Sequence, residues 1–279
     1  MNAIVLGSTS YLGKNIINLY NTNGRKCIGV SRSKPSDITY DHSIYNEDFD
    51  INEAITQNNI EVVFYCFNSY YKNPSKVQID EMIKVNFEKP KELIEKILSS
   101  NQKTKFINFS SYFNFFDTPD ESYDYQMTKL EFSNWFKINS FPKNIKELII
   151  SDVFGAWDNR SKIFNIILKN IVLNKEIKLT NPDNLVNLIH IDKLIEYIDR
   201  FVNSSKNSAT YTSKYSISVG NLKKLLKKLI EDEMCKLGDF FSYENRFQTL
   251  DNFYGESTIS DIVKVTNNNK YKTYLINNG

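Results

Sequence analysis

Short apolar runs alternate with longer stretches of helical periodicity through the first two thirds of the chain. Residues 3–6, Ala-Ile-Val-Leu, predict a strand, and the spacing of Tyr11, Leu12, Ile16, Ile17, Leu19 and Tyr20 predicts the helix after it. Residues 27–30 predict a second strand. The run Glu61-Val62-Val63-Phe64-Tyr65-Cys66-Phe67 is nearly all apolar, as a strand covered on both faces requires. A long helix is expected over about residues 78–100, kinked by Pro90. Next come a strand at 105–109, a helix at about 123–138 and a strand at 148–153. Strand and helix in this rhythm predict a parallel sheet with right-handed crossovers.

After Gly155 the rhythm loosens. Residues 163–173 and 222–230 read as amphipathic helices and 188–191 as one more short strand, while 266–279 is rich in asparagine and ends without a clear element. No internal repeat or long linker interrupts the chain, so one large α/β unit with a small appended lobe is expected.

Composition narrows the partners. The chain has 279 residues, 41% hydrophobic and 24% charged, as a globular protein does. A net charge of +2, with lysines scattered among acids, argues against a nucleic acid polymer or an acidic membrane surface as partner. Cys27, Cys66 and Cys235 are too widely spaced for a zinc site or a disulfide framework. The start at Met1 shows no leader pattern and no run reaches transmembrane length, so a cytoplasmic location is expected.

Two places carry chemistry suited to a dinucleotide. Gly7-Ser8-Thr9-Ser10-Tyr11-Leu12-Gly13 joins the first strand to the first helix with the spacing of a GxxGxxG turn, Ser10 replacing the middle glycine. Such a turn brings backbone N–H groups and a helix N-terminus to a pyrophosphate, and glycine permits the close approach. The Ser10 hydroxyl can add a hydrogen bond. The second strand then ends Ser31-Arg32-Ser33-Lys34, without the carboxylate that accepts from the ribose of NAD. Arg32 flanked by two hydroxyls suits the 2′-phosphate of NADP instead.

A third constellation is Tyr125-Gln126-Met127-Thr128-Lys129, with tyrosine and lysine on one helix face. Among 17 tyrosines in so lysine-rich a chain about two such pairs would arise by chance. Tyr125 is the single instance, and its helix follows the strand that ends Asn108-Phe109-Ser110-Ser111. That strand end lies at the carboxyl edge of the sheet, where open α/β folds bind ligands.

In chain order, the Gly7/Gly13 turn, Val85-Asn86, Ser110-Ser111, Tyr125/Lys129, Val153-Phe154-Gly155 and Leu188-Ile189-His190-Ile191-Asp192 resemble the extended short-chain dehydrogenases/reductases of the NAD-dependent epimerase/dehydratase family. The likeness spans nearly the whole chain. From Gly155-Ala156-Trp157-Asp158 to Ile177-Lys178-Leu179-Thr180 it is most similar to bacterial nucleotide-sugar 4-ketoreductases such as CDP-paratose synthase.

The resemblance implies a Rossmann-like, doubly wound parallel sheet with a small C-terminal substrate lobe. Residues 1–155, with 181–215 returning, would form the dinucleotide-binding domain, and 156–180 with 216–279 the lobe. Ser111, Tyr125 and Lys129 would be catalytic. Tyr125 would pass its proton to the substrate oxygen, Ser111 (ahead of Ser110) would hydrogen-bond that oxygen, and Lys129 would bind the nicotinamide ribose and make the phenol more acidic. The cofactor would meet Gly7, Ser10, Tyr11, Leu12, Gly13, Ser31, Arg32, Ser33, Phe67, Asn86 and Lys129, with Asn86 supporting a water or a backbone kink behind the site. Ser111, Tyr112, Asp152 and Arg246 would meet the substrate.

The chain departs from the family at several positions. Val186-Asn187-Leu188 stands where an arginine usually grips the substrate diphosphate, and Asp152 replaces an asparagine. Arg246 is matched to the second diphosphate arginine. Each lost charged hydrogen bond would weaken that grip by about 1.5–3 kcal/mol.

The expected activity is NADPH-dependent reduction of a nucleotide-linked 4-keto-6-deoxy sugar for surface polysaccharide, with NAD as the alternative cofactor and no metal. Tyr112-Phe113 occupies the place of a dehydratase's Asp-Glu pair. A nucleotide-sugar epimerase holding NAD tightly and a non-catalytic dinucleotide-binding sensor stay open, although a sensor would be expected to lose the tyrosine or lysine. A homodimer is expected through the helices starting near 78 and 123. His190 reads as a structural histidine, Asp48 and Asp50 as helix caps, and Asp117, Asp120 and Glu121 as a solvated loop. Tyr70 and Tyr71 either border the site or are simply exposed.

Overall fold

Ala3, Ile4, Val5 and Leu6 are all fully buried, which an unbroken apolar run achieves only at the centre of a sheet covered on both faces. The computed structural model describes residues 1–36, 38–100, 103–112, 123–213, 216–230, 252–255 and 259–277, of which 252–255, 259, 260, 276 and 277 as backbone. The chain runs β1 (Ala3–Leu6), α1 (Tyr11–Thr22), β2 (Cys27–Ser31), β3 (Asp41–Ile44), α2 (Ile51–Asn58) and β4 (Val62–Tyr65). Then follow α3 (Lys76–Ile83), a π-helical turn (Lys84–Glu88), α4 (Lys89–Ser99), β5 (Lys105–Ser111), α5 (Tyr123–Ile138) and β6 (Ile145–Ile150). After these come β7 (Asp152–Phe154), α6 (Ile163–Val172), β8 (Leu185–Val186), β9 (Leu188–His190) and α7 (Ile191–Asn203). The last are β10 (Ser208–Ser213), β11 (Ile217–Ser218), α8 (Val219–Ile230), β12 (Asn252–Gly255), α9 (Ile259–Thr266) and α10 (Asn269–Asn277).

The main sheet has the order β12-β10-β6-β5-β4-β1-β2-β3. The pairs β2–β3, β1–β2, β1–β4, β4–β5 and β5–β6 are all parallel. β10 runs the same way as β6, since Glu147 N–H donates to Asn207 O and Ser151 N–H to Tyr211 O. Strand order reverses between β1 and β4, which opens a crevice at their carboxyl ends. This is a Rossmann-like, doubly wound α/β sheet. Alternate residues of β1, β2 and β4 (Ile4, Leu6, Ile28, Val30, Val63, Tyr65) pack with Ile51 and Ile55 of α2, Leu93, Ile94 and Ile97 of α4, and Phe132 and Phe136 of α5. On the opposite face α1 buries Ile16, Ile17 and Tyr20, and the Tyr20 ring meets Phe64 edge-on at 5.7 Å.

The chain divides into two compact units, Met1–Ile150 with Ile198–Thr210, and Ser151–Tyr197 with Tyr211–Gly279. In the second unit, β7 pairs in parallel with β9, and β8 antiparallel with β11. Its own core gathers Phe154, Phe164, Ile167, Leu168, Leu222, Leu225, Leu226, Ile262, Val265 and Tyr271.

Several elements differ from the sequence expectation, which had no place for α7 or β10. Instead of a kinked helix over 78–100, the segment is three pieces, and Lys89 N–H donates to Lys84 O across the π-helical turn. Pro90 follows at once; having no N–H, it cannot bond back to residue 86, and the wider turn accommodates that loss. The strand expected at 148–153 begins earlier, at Ile145, because Lys146 and Glu147 are buried charges inside it. It also ends at Ile150, and β7 belongs to the smaller sheet. β3 carries no apolar period, being an exposed edge strand. Finally, 269–277 is helical: Asn268 Oδ1 accepts from Tyr271 N–H as a cap, and Tyr271 and Leu275 are buried one turn apart. The asparagine that suggested an irregular tail starts the helix.

Of the two expected caps, Asp50 is the one that works, its Oδ1 accepting from Asn52 and Glu53 N–H at 2.8 and 3.3 Å. Asp48 instead accepts from the Asn46 amide at 3.5 Å. Asp50→Ala is expected to lower stability by about 1 kcal/mol in urea denaturation, and Asp48→Ala by less than about 0.5 kcal/mol.

Candidate active site

The turn from β1 to α1 has no space for side chains at its two glycines. Gly7 has φ +89°, and a Cβ there would stand 2.7–2.8 Å from the backbone of Cys66 and Phe67, just past β4. A Cβ on Gly13 would stand 2.4 Å from Gly7 O. Ser10 caps α1, its Oγ accepting from Gly13 N–H at 3.0 Å, which leaves the hydroxyl hydrogen able to donate. Tyr11 and Leu12 open the helix half-buried, and its first turn holds no acidic residue. A helix N-terminus laid bare of side chains at a sheet crevice fits a dinucleotide pyrophosphate.

At the end of β2 the residues part company. Ser31 is buried; its Oγ donates to Ser33 O at 2.7 Å and lies 2.8 Å from His42 Nε2. Arg32 and Ser33 are exposed. Burial and then the Lys34 charge hold the His42 imidazole below its ordinary pKa.

Tyr125 and Lys129 share one face of α5. The Tyr125 hydroxyl donates to Asn68 Oδ1 at 3.2 Å, and the Tyr70 ring packs edge-on against the phenol at 5.2 Å. Lys129 is buried with its Nζ 6.0 Å from the centre of that ring, and it donates to Phe109 O at 3.2 Å. Burial pushes its ammonium from the ordinary 10.5 down to about 8, against the pull of Glu147. Ser111, which ends β5, is buried as well. Asn86 lies in the π-helical turn with no exposure. Its Nδ2 donates to Ser69 O and Thr128 Oγ1 at 2.8 and 3.1 Å, and its Oδ1 accepts from Ser69 N–H at 3.1 Å. With its amide so engaged, Asn86 ties the chain after β4 to α5, one residue before Lys129.

Ser110 points elsewhere. Its Oγ donates to Glu147 Oε1 at 2.6 Å, and Ser133 Oγ of α5 donates to the same oxygen at 2.5 Å. Glu147 is fully buried, and its Oε2 finds no hydrogen-bond partner among the described residues. Burial raises its pKa; the two serine bonds and the charges of Lys137 and Lys129 oppose the rise. The sequence reading missed Glu147 and Asn68. A glutamate inside an apolar strand was the available signal for the first; nothing local marks the second.

The remaining expected residues are scattered. Phe67 is half-buried, edge-on to Tyr45 and Tyr65 at 4.9 and 5.6 Å. Tyr112 is buried. Tyr71 donates from its hydroxyl to Glu81 Oε2 at 2.8 Å. In the second unit Lys162 Nζ lies 3.4 Å from Asp152 Oδ1, Val186 belongs to the apolar core, and His190 is buried, its Nδ1 accepting from Asp192 N–H. Phe113, Asp117, Asp120, Glu121, Cys235 and Arg246 lie outside the described residues.

Residues 3–218 match the profile of the NAD dependent epimerase/dehydratase family. The chain belongs to that family. Among solved structures it is similar to the UDP-glucose 4-epimerase of Thermotoga maritima with UDP-glucose, at 15% identity over 100% of this chain and 99% of that one, with a TM-score of 0.75. It is similar also to the UDP-glucuronic acid 4-epimerase of Bacillus cereus in complex with UDP-glucuronic acid and NAD, at 14% identity over 100% of both chains (TM-score 0.74). An NAD-dependent NDP-hexosamine 5,6-dehydratase of tunicamycin biosynthesis matches at 12% identity over 95% of this chain and 96% of that one (TM-score 0.73). A search of curated proteins returned no match. Membership makes this an NAD-dependent enzyme of the epimerase/dehydratase type, with an oxidoreductase-type chemistry.

The Glu147 carboxyl binds its proton more tightly folded than unfolded, so it costs stability once pH rises above the ordinary carboxyl value of 4.5. The stability of the wild type relative to Glu147→Gln is expected to fall as pH is raised from about 4.5 towards neutrality, measured by urea denaturation across that range. A difference that stays flat, or grows in favour of the wild type, would contradict the buried-charge account.

Proposed function

We propose that this chain is an NADPH-dependent reductase of a nucleotide-linked 4-keto-6-deoxy sugar, acting as a cytoplasmic homodimer in surface-polysaccharide sugar biosynthesis. The observation that carries this reading is the pairing of Tyr125 and Lys129 on one face of α5, in the same unit as Ser111 and the Gly7/Gly13 turn. A non-catalytic sensor would have no need of that pair.

The bound dinucleotide would supply the hydride. The protein's own part is to place and protonate. The α1 N-terminus takes the pyrophosphate, and Arg32 with Ser33 takes the 2′-phosphate; the buried Ser31 hydroxyl instead holds the strand end to His42. Lys129 reaches the nicotinamide ribose as a buried cation. Tyr125 gives its phenolic proton to the substrate's carbonyl oxygen, and Ser111 donates a hydrogen bond to that oxygen. The Tyr125 hydroxyl must turn from Asn68 Oδ1 to do so, exchanging one acceptor for another. Tyr112, Asp152 and Arg246 are proposed for the nucleotide-sugar, with Lys162 offsetting the Asp152 charge. Residues 156–180 and 216–279 are the proposed substrate lobe.

A nucleotide-sugar 4-epimerase with retained NAD is the second reading, favoured by the presence of 4-epimerases among the similar structures. Fluorescence titration separates the two. NADPH is expected to bind more tightly than NADH, and Arg32→Ala to weaken NADPH alone by roughly 10- to 100-fold. Stoichiometric NAD in the purified protein, with indifference to Arg32, would establish the epimerase in its place. Under the reductase reading, Tyr125→Phe slows turnover of an NDP-4-keto-6-deoxy sugar by roughly 10²- to 10⁴-fold in an NADPH absorbance assay.

A further inference from the structure

The carboxyl group of Glu147 is used by nothing described so far. It belongs to β6, at a position flanked by the apolar Ile145, Leu148 and Ile149, and it is enclosed completely. Two hydroxyls from different elements converge on its Oε1: Ser110 from β5 at 2.6 Å and Ser133 from α5 at 2.5 Å. Asn108 Nδ2 supports the first from behind, 3.4 Å from Ser110 Oγ. Lengths of 2.5–2.7 Å are those of hydroxyls donating to an ionised carboxylate, somewhat shorter than neutral pairs. A buried carboxylate that only filled space would be costly, and an apolar residue would pack there without that cost. Ser133 stands one helical turn beyond Lys129, on the same buried face of α5. The negative charge is thus held under the helix face that also carries the buried ammonium.

We propose that Glu147 is a positioning residue for Lys129: its carboxylate, clamped by Ser110 and Ser133, is the buried counter-charge that keeps the Lys129 side chain protonated beneath the site. Other titratable groups face Lys129 as well. From β4's end comes Cys66, whose thiol burial holds well above its ordinary pKa, and on α5 itself lies Tyr125. Glu147 in turn faces Lys129 and Lys137 from α5. With Cys66 neutral, Glu147 is the one of these groups whose negative charge acts on Lys129. Burial already brings the Lys129 ammonium down to about 8, and the Glu147 charge resists that fall. Removing the charge would leave a smaller fraction of Lys129 protonated near neutral pH, where a ribose-binding cation is needed. The consequence for cofactor binding rests on the reductase reading; the electrostatic coupling does not.

The test is an NMR titration of protein labelled with ¹³Cε-lysine, without cofactor or substrate, the Lys129 resonance being assigned by its loss in Lys129→Arg. In Glu147→Gln, which preserves shape and an acceptor oxygen, the Lys129 midpoint is expected to drop by about one pH unit. Ser133→Ala keeps the charge but removes one clamp, and should produce a smaller drop in the same direction. It also serves if the Gln variant does not fold. Glu147→Asp should recover part of the wild-type midpoint, which a merely structural role would not predict. A Lys129 midpoint unchanged in Glu147→Gln, or in Ser133→Ala where that alone folds, overturns the proposal. A second arm measures NADPH affinity against pH. If its alkaline limit moves down with the Lys129 midpoint, Glu147 acts on the cofactor through Lys129. If the midpoint moves and NADPH affinity does not, the coupling stands and the assignment of Lys129 to the ribose is lost.

Discussion

At Gly7 a Cβ would collide with the backbone of Cys66 and Phe67, so the chain leaving β1 and the chain leaving β4 touch there as bare backbone. Much else follows from that contact. It lets the two strands pair in register to their carboxyl ends, Leu6 opposite Tyr65, while α1 starts four residues past Gly7. The same crowding recurs within the turn, where Gly13 approaches Gly7 O and Ser10 closes the first helical turn. The N-terminus of α1 is therefore fixed at the reversal point of strand order, where the sheet leaves a crevice.

On the far side of β4 the constraint is electrostatic. α5 covers the sheet with Phe132 and Phe136, yet on the same buried side it carries Gln126, Thr128, Lys129 and Ser133. Bonds from that polar group reach three other elements: Lys129 to β5, Thr128 to Asn86 of the π-helical turn, and Ser133 to Glu147 of β6. Buried polar groups that are paired in this way hold a helix to one register, whereas apolar packing tolerates sliding. Lys146, directly before Glu147 in β6, is handled likewise, donating to the carbonyls of Ser204 and Lys206 and lying 5.0 Å from the Phe201 ring centre. Burial lowers that ammonium too, to about 8.

Family membership and the doubly wound sheet were legible from residue order. The apolar runs of β1, β4 and β5 announce buried strands, and the Gly7/Gly13 turn and the Tyr125/Lys129 pair fall at strand–helix junctions. The errors came where a residue's local character opposed its tertiary role. Lys146 and Glu147 concealed the start of β6; Asn268, a cap, read as part of an irregular tail; Pro90 suggested a kink where the chain widened into a π-helical turn. β3 has no apolar alternation because one edge of the sheet faces solvent.

What the sequence determined by itself is whatever depends on near neighbours: the period of apolar positions, the glycines that a tight turn demands, and two reactive groups four residues apart on a helix. What only the tertiary structure decided is how buried polar groups are satisfied. Ser110 was separated from Ser111 by a carboxylate 37 residues along the chain, Asn86 by Ser69 and Thr128, and the Tyr125 hydroxyl was met by Asn68. Backbone geometry is set within a few residues, but a hydrogen bond between side chains far apart in sequence exists only after folding brings them together. No local pattern records which distant partner a buried donor will find.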